Sequence, residues 1–237
     1  PRTAPLGSLE VPGSPYTLRV LRVGHSTPRP DGTLEADGTI TLISGGPLTV
    51  LVDTGGPWDR PLLPQLLGAH GVTPGDVTHV IVTHGHSDHV GNINLFPRAT
   101  LLVGFDLSTG PGVFAPHGLA RGVPLVLDPR GGLEVVATPG HTRAHVSLVA
   151  RGTALGTAVV AGDAFEREGD EDEWGALSED PQEQRRSRRA LLAMADVIVP
   201  GHGPPFRVFR DTPGEGDSEG GGTEGHGDTP GSDTEGH

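Results

Sequence analysis

The sequence predicts an α/β fold, and three observations carry that expectation. Short apolar, β-branched runs recur along the chain and read as buried strands. Helix-period segments lie between some of them. A metal-ligand type of residue stands on the glycine-containing turn that follows a strand at four places: His84/His86/Asp88/His89, His141, Asp163 and His202.

Residues 1–15 are rich in Pro and Gly and are expected to form a flexible arm. Thr17 to Gly24 alternates apolar and polar residues, and Thr39 to Ser44 and Leu48 to Asp53 flank the turn Gly45-Gly46-Pro47, so a hairpin is expected. Arg60 to His70 has helical spacing and stops at Gly71. Val77 to Val82 is a strand that runs into the histidine turn, and a short helix is expected over residues 89–96. Ala99 to Val103 follows as a strand. Phe105 to Gly122 reads as an irregular loop that could turn Phe114 and His117 toward a ligand or pack its own aromatic inward. Leu133 to Thr138, Val146 to Ala150, Ala158 to Ala161 and Asp196 to Val199 are further strands. Pro181 to Ala195 is a helix carrying Arg185, Arg186, Arg188 and Arg189. Beyond Asp211 the composition is Gly, acidic and hydroxyl residues without an apolar side chain, so residues 211–237 are expected to be a disordered acidic tail and residues 16–210 the folded domain.

The chain has 237 residues, enough for one domain with a substantial core. It contains no cysteine, which excludes disulfides and leaves only nitrogen and oxygen ligands for a metal. No stretch approaches the roughly 18 apolar residues of a membrane span, and Pro1 to Pro15 lacks a secretory pattern. The net charge of −13 argues against unspecific nucleic-acid binding and only weakly against a local phosphate site.

Strand ends on one sheet edge converge, so His84, His86, Asp88, His89, His141, Asp163 and His202 can meet. Zinc takes about four ligands at roughly 2 Å, so seven donors suit two ions sharing a bridge. A carboxylate bridges where an imidazole does not, which makes Asp163 the bridging candidate. One ion is assigned to His84, His86 and His141, and the other to Asp88, His89 and His202. Such a pair lowers the pKa of water held between the ions and polarises a substrate oxygen, which is hydrolytic chemistry. Asp53, at the end of its strand, is expected to orient a ligand histidine. The catalytic assignment falls on Asp88, His202 and Asp53. His25, His79 and His145 flank these motifs and read as packing or turn residues.

His84-x-His86-x-Asp88-His89, followed by His141, Asp163 and His202 and preceded by Asp53, resembles the motif set of the metallo-β-lactamase superfamily. The resemblance implies an αβ/βα four-layer sandwich, two mixed β-sheets with outer helices, holding two Zn²⁺ per chain at one edge. A closer likeness, carried by Ala115 to Leu119, Gly169 to Trp174, Leu177 to Pro181 and Val199 to Phe206, is to a glyoxalase II-like animal branch. It implies a homodimeric endoribonuclease that cleaves histone pre-mRNA at its 3′ end, in cytosol and nucleus, with no membrane partner.

Other branches fit less well. A glyoxalase II-like thioester hydrolase shares Thr138-Pro139-Gly140-His141-Thr142 and lacks here the C-terminal helical domain that holds glutathione. Persulfide dioxygenases use one iron on fewer ligands, and flavodiiron proteins have an acidic residue where His86 stands. The separation of Asp163 from His202 is too short for the cap of the large nucleases. A non-catalytic metal-binding interaction module is the reading from another class, and seven ligands exceed what a scaffold requires. The arginines of the late helix could track a phosphate backbone or form a solvated face.

Overall fold

Strand residues point alternately to the two faces of a sheet, and here both faces are apolar. In Val50–Val52 the two valines enter one buried cluster and Leu51 another. In His79–Val82 it is Ile81 that joins the valines, while Val80 and Val82 join Leu51. Such strands need cover on both sides, so the sheet must lie between a second sheet and a helical layer.

The structure, a computed structural model, describes residues 1–210. Its first sheet runs in the order Arg2–Pro5, Phe206–Phe209, Val197–Pro200, Gly156–Gly162, Val146–Thr153, Leu133–Ala137, Leu125–Asp128. The second runs Val113–Phe114, Asp106–Gly110, Thr100–Val103, His79–Val82, Val50–Val52, Ile40–Ser44, Thr17–Arg22, Glu10–Val11. Both are mixed: Gly156–Gly162 is parallel to Val197–Pro200, and Val50–Val52, His79–Val82 and Thr100–Val103 are mutually parallel. Leu18, Val20, Val52 and Ile81 of the second sheet meet Val135, Leu148, Val160 and Val199 of the first in one core cluster. Full burial of such a side chain contributes roughly 1.5–3 kcal/mol.

Helix α1 (Leu63–Gly68) covers the outer face of the second sheet, with Leu63 and Leu67 against Leu51 and Val80. Helix α2 (Ser87–Val90) is a single turn after the histidine motif. Helix α3 (Pro181–Met194) covers the first sheet, with Leu191 against Val159 and Ile198. The α3 N-terminus is capped by the Asp180 carboxylate, which accepts from the N–H groups of Gln182 and Glu183 at 3.1 and 3.0 Å. Helix, sheet, sheet and helix make the expected αβ/βα four-layer sandwich.

Three expectations change. The first fifteen residues are not a free arm: Arg2–Pro5 pairs antiparallel with Phe206–Phe209, and Glu10–Val11 pairs with Thr17–Arg22. The segment from Phe105 is not irregular, because Gly110-Pro111-Gly112 turns Asp106–Gly110 back on Val113–Phe114 as a hairpin. The helix after the histidine motif stops at Val90, and a 3₁₀ turn, Ile93–Leu95, follows. The acidic tail expected over residues 211–237 lies outside the described residues. A further hairpin, His25–Pro28 with Leu34–Asp37, stands apart from both sheets and reaches the ends of their strands.

Candidate metal centre

Strands Val50–Val52, His79–Val82, Leu133–Ala137, Gly156–Gly162 and Val197–Pro200 lead into the turns that carry Asp53, His84, His141, Asp163 and His202. Three of these turns depend on glycine. Gly140 has φ +139°, and a Cβ there would lie 2.2 Å from the backbone of Gln184 on α3. Gly162 has φ +50° and lies against Thr83, and a Cβ at Gly201 would lie 1.9 Å from Asp163 Oδ1.

The seven predicted ligands converge. His84, His86, His141 and Asp163 offer donor atoms within 4.8 Å of one another, as do Asp88, His89 and His202, and Asp163, Glu166 and His202. Asp163 is the hub. Its Oδ2 is 3.4 Å from His84 Nε2 and 3.2 Å from the Nε2 atoms of both His141 and His202. Its Oδ1 is 3.2 Å from His89 Nε2. Asp88 Oδ2 stands 3.5 Å from His89 Nε2 and 3.8 Å from His202 Nε2. His86 enters by its other nitrogen, with Nδ1 2.9 Å from His84 Nε2.

The outer nitrogens are held from behind. His89 Nδ1 meets Asp53 Oδ2 at 2.8 Å, and His84 Nδ1 meets Thr83 Oγ1 at 3.0 Å. The Thr83 hydroxyl in turn donates to Asp53 Oδ2, and the Thr83 N–H donates to Oδ1 at 2.7 Å. Asp53 thus touches one histidine directly and another through a hydroxyl. His202 Nδ1 lies 3.0 Å from the backbone oxygens of both His25 and Asp37, at the base of the free hairpin.

The electrostatics follow from burial and crowding. Burial pushes the imidazoles of His84 and His86 down, which keeps their lone pairs available. Burial pushes the Asp163 carboxyl up, but His89, His84 and His202 outweigh it and hold it well below the usual carboxylate range. Burial pushes His89 down, and Asp163 and Asp53 reverse this and raise it well above an ordinary histidine. Among the described residues, His89 Nε2 and Asp163 Oδ1 are buried polar atoms without a hydrogen-bond partner. Imidazole nitrogens and carboxylate oxygens facing one point, with none of the sulfur that would favour softer ions, fit a divalent cation of the zinc kind.

The remaining sequence candidates lie outside this centre. His145 is buried against Thr138, and burial, then His141, pushes its pKa down to about 3, but it joins none of the three donor groups. His79 Nδ1 pairs with the Thr78 hydroxyl. His25 contributes its backbone oxygen. His117 closes its own loop, with Nε2 2.8 Å from Phe105 O and Nδ1 accepting from the Leu119 N–H, and Phe114 is exposed on a sheet edge. Neither lines the pocket at the centre.

Two parts of the centre were not singled out by the sequence. Glu166, within a run that reads as an acidic loop, is 3% exposed and faces His141 and His202. Burial, then Asp163, pushes its carboxyl up to about 7. The inner face of α3 is polar: Gln184 Nε2 donates to Asp163 O at 2.9 Å, the Ser187 hydroxyl to Pro139 O at 2.7 Å, and Arg188 Nη1 to Ala164 O at 3.0 Å. Their spacing on one helical face was the available signal, hidden because the other face is polar too.

The metallo-beta-lactamase superfamily profile matches residues 35–105. The chain is 59% identical over 209 residues to "Metallo-beta-lactamase domain-containing protein 1" of Xenopus laevis, covering 88% of this chain and 89% of that one. It is 51% identical over 252 residues to the human protein of the same name, covering 93% and 94%. A hydroxyacylglutathione hydrolase of Rhodopseudomonas palustris is 35% identical over 102 residues, 38% of this chain and 36% of that one. Among solved structures, an N-acyl homoserine lactone hydrolase with product at its catalytic metal centre shares the fold at TM-score 0.57 and 19% identity, covering 81% of this chain and 93% of that one. With relatives of such identity along most of its length, and with the family profile over residues 35–105, the chain belongs to the metallo-beta-lactamase superfamily.

Proposed function

We propose that the chain is a dizinc hydrolase that cleaves RNA phosphodiester bonds. The observation that carries hydrolysis is the gathering of six donor side chains around a seventh, Asp163. When bound, the ions supply an acidified water and polarise the oxygen that gains charge in the transition state. The protein's own residues do the rest. Asp53 and Thr83 fix which nitrogen each of His84 and His89 turns inward. The backbone of the free hairpin does the same for His202. The pocket over the donors holds about 160 Å³ and is walled by Ser26, Leu34, Ala36 and Leu177. That space suits a phosphoryl group, with the flanking nucleotides lying outside.

The RNA assignment rests on the likeness of Ala115 to Leu119, Gly169 to Trp174, Leu177 to Pro181 and Val199 to Phe206 to the ribonuclease branch. Processing of histone pre-mRNA, a homodimeric state and work in cytosol and nucleus rest on the same likeness. One observation favours a second reading, a thioester or other small acyl substrate: no arginine lines the pocket walls. Zinc-loaded full-length protein is to be given single-stranded RNA, an S-acyl glutathione and a lactone. RNA cleavage is expected, falling by at least about 100-fold in Asp88→Ala, which removes one of the proposed metal ligands. Intact RNA beside rapid thioester turnover would sink the RNA reading in favour of the second.

A further inference from the structure

We propose that Glu166 is the positioning residue for His141, the fourth member of a set of outward acceptors that aim the histidines. The inference rests on the reading of this cluster as a metal centre. His84, His89, His141 and His202 all turn Nε2 toward Asp163. An imidazole that gives one nitrogen to a cation carries its proton on the other, and that N–H needs an acceptor. Three have one within 3.0 Å: Thr83 Oγ1 for His84, Asp53 Oδ2 for His89, and the backbone oxygens of His25 and Asp37 for His202.

Among the described residues, His141 Nδ1 is buried without a partner, and so is Glu166 Oε1. They face each other at 3.6 Å. That is too long for a hydrogen bond, and a small side-chain rotation closes it. That rotation pairs both atoms at once, and a buried polar atom left without a partner is costly.

Glu166 is held in place for this. Its N–H donates to Asp170 Oδ2 at 2.8 Å, and its carbonyl accepts from the His202 N–H at 2.8 Å. Asp170 is gripped by both Arg188 amino groups, at 2.9 and 2.5 Å, and that guanidinium stacks 4.0 Å over Phe165. The acidic run after Asp163 therefore divides: Glu166 and Asp170 are buried and serve the centre, while Glu171, Asp172 and Glu173 face solvent.

Glu166 Oε2 also lies 3.9 Å from His202 Nε2, so a direct ligand is the rival role. Zinc competition against a chromophoric chelator separates them in the full chain. Positioning predicts that Glu166→Ala weakens zinc binding by roughly 10–100-fold and that Glu166→Gln, whose amide oxygen still accepts the Nδ1 proton, restores it to within about threefold. The exchangeable His141 Nδ1–H proton resonance of the zinc-loaded protein should survive in Glu166→Gln and vanish in Glu166→Ala. Equal losses in both variants would show a ligand instead, and no loss in either would overturn the role altogether. Wild-type protein that binds no zinc would remove the metal reading itself, and this inference with it.

Discussion

Asp53 has φ 60° and is the one non-glycine residue with positive φ among the described residues. That conformation costs an aspartate on the order of 1–3 kcal/mol. The backbone turn is what lets one carboxylate reach Thr83 N, Thr83 Oγ1 and His89 Nδ1 together. Asparagine tolerates the same backbone, so Asp53→Asn tests the carboxylate and not the turn. Zinc affinity is expected to fall by about 10–100-fold while the far-ultraviolet circular dichroism stays unchanged. Unchanged affinity in a chelator titration would separate Asp53 from the centre. The residues presented at the centre were legible because four strand-end turns each carry a histidine or aspartate, and turn chemistry, which favours aspartate, does not explain the histidines. Glu166 was not, because in sequence nothing distinguishes it from Glu171 or Glu173. What separates them is the grip of Asp170 on the Glu166 N–H, a tertiary fact.

At the scale of elements, helix α3 shows how a charge pattern misleads. Four arginines in one turn suggest a phosphate track or a solvated face. Three of them are exposed, but Arg188 is buried, pairs with Asp170 and packs between Phe165 and Trp174. Its stem and stacked guanidinium anchor the loop that carries Glu166. Arg188→Ala leaves Asp170 buried without its cation, so a loss of about 3–5 kcal/mol in urea unfolding is expected. Arg189→Ala, on the exposed face, should change stability by no more than about 0.5 kcal/mol. If the two cost the same, the anchoring role fails. The central strands were legible because both their faces are apolar. Arg2–Pro5, His25–Pro28 and Leu34–Asp37 were not, since edge and free hairpin strands are short, exposed and polar. They form because partners distant in sequence supply the ladder, which no local pattern announces.

At the scale of the whole molecule, the two sheets are joined by their shared core and at both ends. At one end they are joined by the candidate metal centre, where Asp53 and the histidine motif belong to the second sheet and His141, Asp163 and His202 to the first. The strand registers put Tyr16 and Asp128 at the far end: Tyr16 precedes Thr17–Arg22, whose Arg22 lies opposite Ile40, and Asp128 pairs with Leu133 while Ala137 runs to the centre. There the Tyr16 hydroxyl donates to Asp128 Oδ2 at 2.7 Å across the sheets. Burial and then this hydrogen bond push the Tyr16 phenol from 10.0 up to about 12. Its folded pKa is thus above its unfolded value. The tie's contribution is fully present below pH 10 and is lost as pH rises toward about 12, because the unfolded chain releases its proton first. Tyr16→Phe is expected to cost about 1 kcal/mol at neutral pH, and the gap between the two proteins should narrow across that alkaline window. Tyr16 is the only tyrosine of the chain, so its tyrosinate absorbance reports this one bond without interference. A folded protein whose phenol titrates at the ordinary value would mean that the far ends of the sheets are held by the core alone.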